Sequence, residues 1–178
     1  MQFSIWHSRF TGYSSAISKK RGIAMNHLPT VLLVEDNHTD ALLFCIAVKK
    51  HQLHVRTQVV NDGHDAIRYL RGEGVFGNRK LYPLPGLVVL DLHMPGVDGL
   101  AVLRWIRKQR WLAGLPVVIF TGTDYQRSLD EAMGSGADTY LLKGHDTEGL
   151  LALLQNADLN WNDSEAEIDD AVRTRPAA

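Results

Sequence analysis

Residues 86–99 read GLVVLDLHMPGVDG. The apolar run Leu87–Leu90 shows no alternation, which suits a parallel strand covered on both faces. It ends abruptly on an acid, Asp91, and two turn signals follow, Met94-Pro95-Gly96 and Asp98-Gly99. Pro and Gly at those places stop the strand and reverse the chain. The stretch therefore predicts a buried strand that delivers one carboxylate to its carboxyl end.

The same pattern recurs on both sides. Residues 30–34, 117–120 and 139–142 are unbroken apolar or β-branched runs, and residues 55–60 (VRTQVV) are mixed, as in an edge strand. Helical spacing fills the gaps: Leu43, Ile46 and Ala47; Ala66, Tyr69 and Leu70; Leu103 and Ile106; Leu129, Ala132 and Met133; Leu150, Leu153 and Leu154. Strand and helix alternate five times. This predicts an α/β fold, a doubly wound five-stranded parallel sheet with right-handed crossovers. Residues 71–86 form a Gly- and Pro-rich connection longer than the usual ~2–6 residues, and predict a surface excursion.

Composition bounds the rest. The chain has 178 residues, 45% hydrophobic and 22% charged, with a formal net charge of −1. Such a balance gives no reason to expect a nucleic-acid partner. A single cysteine, Cys45, excludes an internal disulfide framework and fits the cytoplasm. No apolar run approaches the ~18 residues of a membrane helix. Residues 1–28 carry Arg9, Lys19, Lys20 and Arg21 and no acids, and are expected to be a disordered basic leader, with Met25 an alternative start. Residues 29–157 are expected to form the domain. Residues 158–178 are acidic and poor in apolar groups, and are expected to be a flexible tail or an interaction segment.

Ligands of an open parallel sheet bind beyond the carboxyl ends of its strands. The first strand ends in Glu35-Asp36, the third in Asp91, the fourth in Thr121 and the fifth in Lys143. An isolated acid after a strand is most often a helix cap, which is the reading for Asp62 and Asp124. Caps do not account for five polar groups on one edge. Three carboxylates together repel, and burial raises that cost, so a divalent cation is implied. Oxygen donors favour Mg²⁺. Carboxylate, Mg²⁺, hydroxyl and ammonium make a phosphoryl-transfer site, with Asp91 as the nucleophile.

Val34-Glu35-Asp36-Asn37, Leu90 to Gly99, Phe120-Thr121-Gly122 and Gly136 to Lys143 resemble the receiver domain of two-component response regulators, over residues 29–157. The resemblance implies the flavodoxin-like (βα)5 fold and assigns roles. Asp91 is the phosphoacceptor. Mg²⁺ is held by Asp36, Asp91 and the backbone carbonyl of His93, with Glu35 acting through water. Thr121 and Lys143 bind the phosphoryl oxygens, and Thr121 and Tyr140 form the switch. His93 and Thr123 occupy positions that tune dephosphorylation, although a solvated loop side chain is the simpler reading of the His93 ring. The implied phosphodonor is a sensor histidine kinase, and the chain catalyses only its own phosphorylation and dephosphorylation. Gly144 stands where the family usually has a cis proline, so the peptide after Lys143 is either trans or held by other contacts. That departure and the 71–86 connection resemble the receiver-only regulators paired with phytochrome-like kinases.

The sequence after Lys143 is too short for a DNA-binding effector. The expected output is contact with an unidentified downstream protein or with a second copy, and Trp105, Trp111 and Trp161 are candidate anchors. His51 and His54 read as solvated, as do Arg104, Arg107, Lys108 and Arg110. Two rival readings stand beside the phosphoacceptor: a receiver-fold binding module that acts without phosphorylation, and an Mg-dependent phosphatase of the haloacid-dehalogenase kind. The latter needs a second acid where this chain has His93.

Overall fold

A computed structural model describes residues 28–122 and 126–156. The leader (including Met25), the tail with Trp161, and Thr123 and Asp124 lie outside the described residues. Five strands form one parallel sheet: β1 (Thr30–Val34), β2 (Arg56–Val60), β3 (Leu87–Leu90), β4 (Val117–Thr121) and β5 (Thr139–Leu142), in the order β2-β1-β3-β4-β5. Five α-helices alternate with them: α1 (His38–Lys50), α2 (Gly63–Arg71), α3 (Gly99–Lys108), α4 (Gln126–Gly134) and α5 (Thr147–Asn156). This is the doubly wound architecture that the alternation predicts.

The apolar runs have no alternation because both sheet faces are covered. On one face Leu32, Val34, Val88, Leu90, Val117 and Ile119 pack against α2, α3 and α4. On the other, Val31, Leu33, Leu87, Val89, Val118 and Phe120 pack against α1 and α5. β5 reads as a central strand from its sequence but lies at the sheet edge, and only its Leu141 is fully buried. No helix among the described residues is long and apolar enough to cross a membrane.

The inward face of α1 differs from the expected one. Ala41, Phe44 and Val48 are buried, whereas Leu43 and Ile46 are 58% and 49% exposed. The helix is apolar nearly all round, so spacing cannot choose a side. Phe44 decides it by packing edge-on against Phe120 at 6.4 Å. On α4, Leu129 and Ala132 are buried as expected, but Met133 is exposed.

The 71–86 connection is a packed structure rather than a loose excursion. A 3₁₀ turn at Gly74–Gly77 buries Phe76, which contacts Tyr69 and Tyr82 at 5.3 and 5.2 Å. The Tyr69 hydroxyl donates to the Pro83 carbonyl at 2.7 Å. Arg107 is likewise not a merely solvated residue. Its guanidinium donates to the carbonyls of Gly136 and Leu115 and to the Asp138 carboxylate, all within 2.9 Å. Arg104, by contrast, meets Glu131 on an exposed face. Its removal by Arg104→Ala should lower the unfolding free energy measured by chemical denaturation by less than about 0.5 kcal/mol.

Candidate functional site

The strand ladder brings the polar groups together before any side chain is considered. β1 and β3 pair in register at Val34 and Leu90. The next residue of each strand, Glu35 and Asp91, stays on the ladder: the Glu35 N–H donates to Val60 O and the Asp91 N–H to Val34 O, both at 3.0 Å. β4 and β5 pair at Thr121 and Leu142, and the Lys143 N–H donates to Thr121 O at 2.9 Å. Glu35, Asp91, Thr121 and Lys143 therefore finish on one edge because the register puts them there.

Local signals then turn the chain away. Asn37 caps α1, its side-chain carbonyl accepting the Thr39 N–H at 2.9 Å, and Asp98 caps α3 through the Ala101 N–H at 2.7 Å. Asp62 caps α2 in the same way through Asp65. Gly99 opens α3 directly against the Asp91 backbone, so that a β-carbon there would overlap the Asp91 carbonyl oxygen. Gly99→Ala is expected to push the start of α3 off the strand end and to cost about 1–3 kcal/mol in urea denaturation.

Lys143 is the centre of the side-chain arrangement. Its Nζ lies 2.6 Å from Glu35 Oε2, 2.7 Å from Asp91 Oδ2 and 3.1 Å from Asp40 Oδ2. Glu35, Asp91 and Thr121 are 1%, 6% and 1% exposed. Burial alone disfavours the ammonium, but hydrogen bonds to Asp91, Glu35 and Asp40 outweigh it, and the Lys143 pKa stands above its ordinary value. Burial pushes the Glu35 carboxyl up, against the lowering effect of Lys143.

Half-buried Asp36 joins the buried Glu35 and Asp91: one carboxylate oxygen from each lies within 4.8 Å of the others. Three acids so close carry more negative charge than one lysine balances. An all-oxygen donor set of this kind suits a hard divalent cation. The His93 ring is exposed, while its backbone N–H lies 3.3 Å from Asp91 Oδ1, between the buried Leu92 and Met94. Tyr140 is half-buried against the α2–α4 side of the core, and pairs in register with Ile119. Thr123 lies outside the described residues.

No cis peptide occurs among the described residues, so the Lys143–Gly144 bond is trans, and Gly144 takes φ +79°. That left-handed conformation suits glycine. The Asp146 side chain then accepts the Leu142 N–H at 2.8 Å and fixes the turn. Sequence reasoning missed Asp40 and Asp146. Asp40 carried a usable signal: it lies four residues after Asp36, in the first turn of a helix that begins at the site.

Comparison with known proteins agrees with this geometry. The response regulator receiver domain model matches residues 31–155. The probable methanogenesis regulatory protein FilR2 of Methanothrix harundinacea is 36% identical over 138 residues, which span 75% of this chain and 86% of that protein. The solved bacteriophytochrome response regulator AtBRR is 33% identical with a TM-score of 0.65, over 76% of this chain and 96% of its own. The Mn²⁺-bound form of response regulator Rcp1 is 27% identical with a TM-score of 0.62, over 76% and 96%; Rcp1 comes from a Synechocystis strain. With four strand ends meeting at an acidic edge and this match across most of its length, the chain belongs to the response regulator receiver domain family, in the company of receiver-only, phytochrome-associated regulators of two-component signalling.

Proposed function

We propose that this chain is a single-domain response regulator that takes a phosphoryl group onto Asp91 from a phosphohistidine of a sensor histidine kinase. The observation that carries the reading is the grouping of the Glu35–Asp36–Asp91 cluster with the Lys143 ammonium and buried Thr121 on one sheet edge. Glu35, Asp36 and Asp91 would hold Mg²⁺, whose charge would offset the acids and the incoming phosphoryl oxygens.

A carboxylate oxygen of Asp91 attacks phosphorus as the P–N bond to the donor imidazole breaks. The leaving imidazole takes up a proton. Lys143 follows the negative charge from the Asp91 carboxylate to a phosphoryl oxygen, a move of its flexible tip alone. Thr121 stands at the neighbouring strand end, where its hydroxyl donates to the same group. Water later attacks phosphorus, and inorganic phosphate and free Asp91 result. The chain turns over only its own phosphate. Output is a change in protein contacts as Thr121 and Tyr140 shift, towards a downstream protein or a second copy. A cytoplasmic setting belongs to the same reading, and the free thiol Cys45 supports it.

The test is mass spectrometry of the full chain incubated with acetyl phosphate and Mg²⁺. One base-labile phosphoryl group is expected on the wild type, none on Asp91→Asn and none in EDTA. A wild-type protein that stays unmodified would falsify the phosphoacceptor role and favour a binding module that acts without phosphorylation. Repeated turnover of a small phosphate ester would instead point to a phosphatase.

A further inference from the structure

Lys143 has three carboxylate partners, and two of them have other duties in the proposed chemistry. Asp91 becomes the phosphorylated group, and Glu35 sits in the cluster suited to a metal. Asp40 has no such duty. It is not part of that cluster, it comes from a different element, α1, and it reaches the ammonium across 103 positions of sequence at 3.1 Å. It is also the most solvent-facing of the three, 32% exposed against 1% for Glu35 and 8% for the Asp91 side chain.

Asp40 acts on a side chain that leaves the sheet at a tight turn. Gly144 follows Lys143 through a trans peptide at φ +79°, and a β-carbon there would meet nothing within 4 Å. The backbone of the turn is fixed by the Lys143 N–H on Thr121 O, by the His145 and Asp146 N–H groups on Leu142 O, and by the Asp146 side chain on the Leu142 N–H, none of which touches the Lys143 side chain. The long Lys143 side chain must then be oriented by what its tip touches. Asn37 already accepts the Asp40 backbone N–H at 3.4 Å, so the Asp40 carboxylate is not needed as the helix cap and faces the site.

We propose that Asp40 is a positioning residue that holds the Lys143 ammonium beside Asp91 when metal and phosphoryl group have claimed the other two carboxylates. Lys143 then spans from Asp40 to a phosphoryl oxygen, and the α1 side of the site sets where that oxygen is held. The inference rests on the phosphoacceptor reading above. It predicts a loss in the phosphorylation step at full metal occupancy, with little change in metal affinity.

The experiment measures the initial rate of phosphorylation by acetyl phosphate against Mg²⁺ concentration, for wild type, Asp40→Asn and Asp40→Glu. The pair is partly exposed, so the maximal rate of Asp40→Asn should fall about three- to fivefold. Its half-saturating Mg²⁺ should move less than about twofold, and Asp40→Glu, which keeps the charge on a longer arm, should recover part of the rate. A wild-type maximal rate in Asp40→Asn overturns the proposal. So does a deficit that vanishes at saturating Mg²⁺, or an equal loss in both variants, since the charge would then act on the metal or not at all. Should Asp40→Asn melt below the assay temperature, Asp40→Ser takes its place under the same criteria. Failure of the wild type itself to accept phosphate would instead refute the phosphoacceptor reading.

Discussion

Lys143→Met should lower stability by about 3 kcal/mol at pH 8 without added metal, because it removes the cation from a set of buried acids while keeping the side-chain volume. Glu35 and Asp91 lie 2.6 and 2.7 Å from the ammonium and would face each other uncompensated. The penalty should depend on pH with a definite sign. In the wild type the Glu35 carboxyl already stands above its ordinary value of 4.5, chiefly through burial, and Lys143 restrains it. A carboxyl raised in the folded state binds more protons there than in the unfolded chain, so its contribution to stability declines as pH rises above 4.5. Without Lys143 the restraint is gone and burial and Asp91 act together, so the decline steepens. The Lys143 pKa itself stands above 10.5, so its own contribution is fully present below pH 10.5 and is lost only as pH rises through the folded value. Urea midpoints in EDTA should therefore differ between the two proteins at both pH 5 and pH 8, by less at the lower pH than at the higher. Added Mg²⁺ should close part of the gap by supplying the missing positive charge. The same substitution should slow phosphorylation of Asp91 about a hundredfold, since a charged donor to the transferring group is lost. A Lys143→Met protein as stable as wild type at pH 8 would show that the acids are not held by this lysine.

That prediction uses residues that were legible in the sequence, and the reason is physical. A parallel strand covered on both faces must be apolar, so Asp91 after Leu87–Leu90, or Lys143 after Thr139–Leu142, marks a strand end by contrast alone. The alternation of strand and helix then implies a parallel sheet, whose strand ends share one edge. What the sequence could not reveal were choices made by three-dimensional competition. Leu43 and Ile46 satisfy helical spacing as well as Phe44 and Val48 do, and only the contact of Phe44 with Phe120 settles which face turns inward. The edge position of β5 is invisible because an edge strand and a central strand can share a composition. Asp40 looks like an ordinary first-turn helix acid and Asp146 like an ordinary residue just before a helix, common preferences that mask a second role. The trans peptide at Lys143–Gly144 is one of two possibilities in the sequence, and the structure has it with Gly144 at a left-handed φ.

Arg79→Ala should produce the largest purely structural loss, about 2–3 kcal/mol, and leave phosphorylation of Asp91 unchanged wherever the protein remains folded. Residues 71–86 looked like a loop because Gly, Pro and polar residues dominate them, but one guanidinium ties them down. Arg79 Nη1 donates to the carbonyls of Tyr69 at 2.8 Å and Tyr82 at 3.2 Å, and Nη2 to that of Leu70 at 2.6 Å. Tyr69 and Leu70 lie in the last turn of α2, where carbonyls lack helical partners and a positive charge meets the negative end of the helix dipole. The guanidinium also sits where a side chain at Gly72, φ +71°, would fall, so the helix end and the connection are closed against each other. Removing it strips this donor from the Leu70 and Tyr82 carbonyls and leaves Tyr69 O with the Gly72 N–H, at about 1 kcal/mol for each bond lost, and loosens the support under Phe76 and Tyr82. Arg79→Lys should rescue less than half of the loss, because a single ammonium cannot reach carbonyls spread across a planar fork. The connection leads into the amino end of β3, where the Gly86 N–H donates to Thr30 O at 2.7 Å, at the sheet edge opposite Asp91. Stability and phosphorylation should therefore separate. Thermal melts would fall for both Arg79 variants while the initial phosphorylation rate, measured well below the midpoint, stays at the wild-type value. A matching fall in that rate would mean that the connection reaches the Asp91 edge through β3, and that the two ends of the strand are coupled rather than independent.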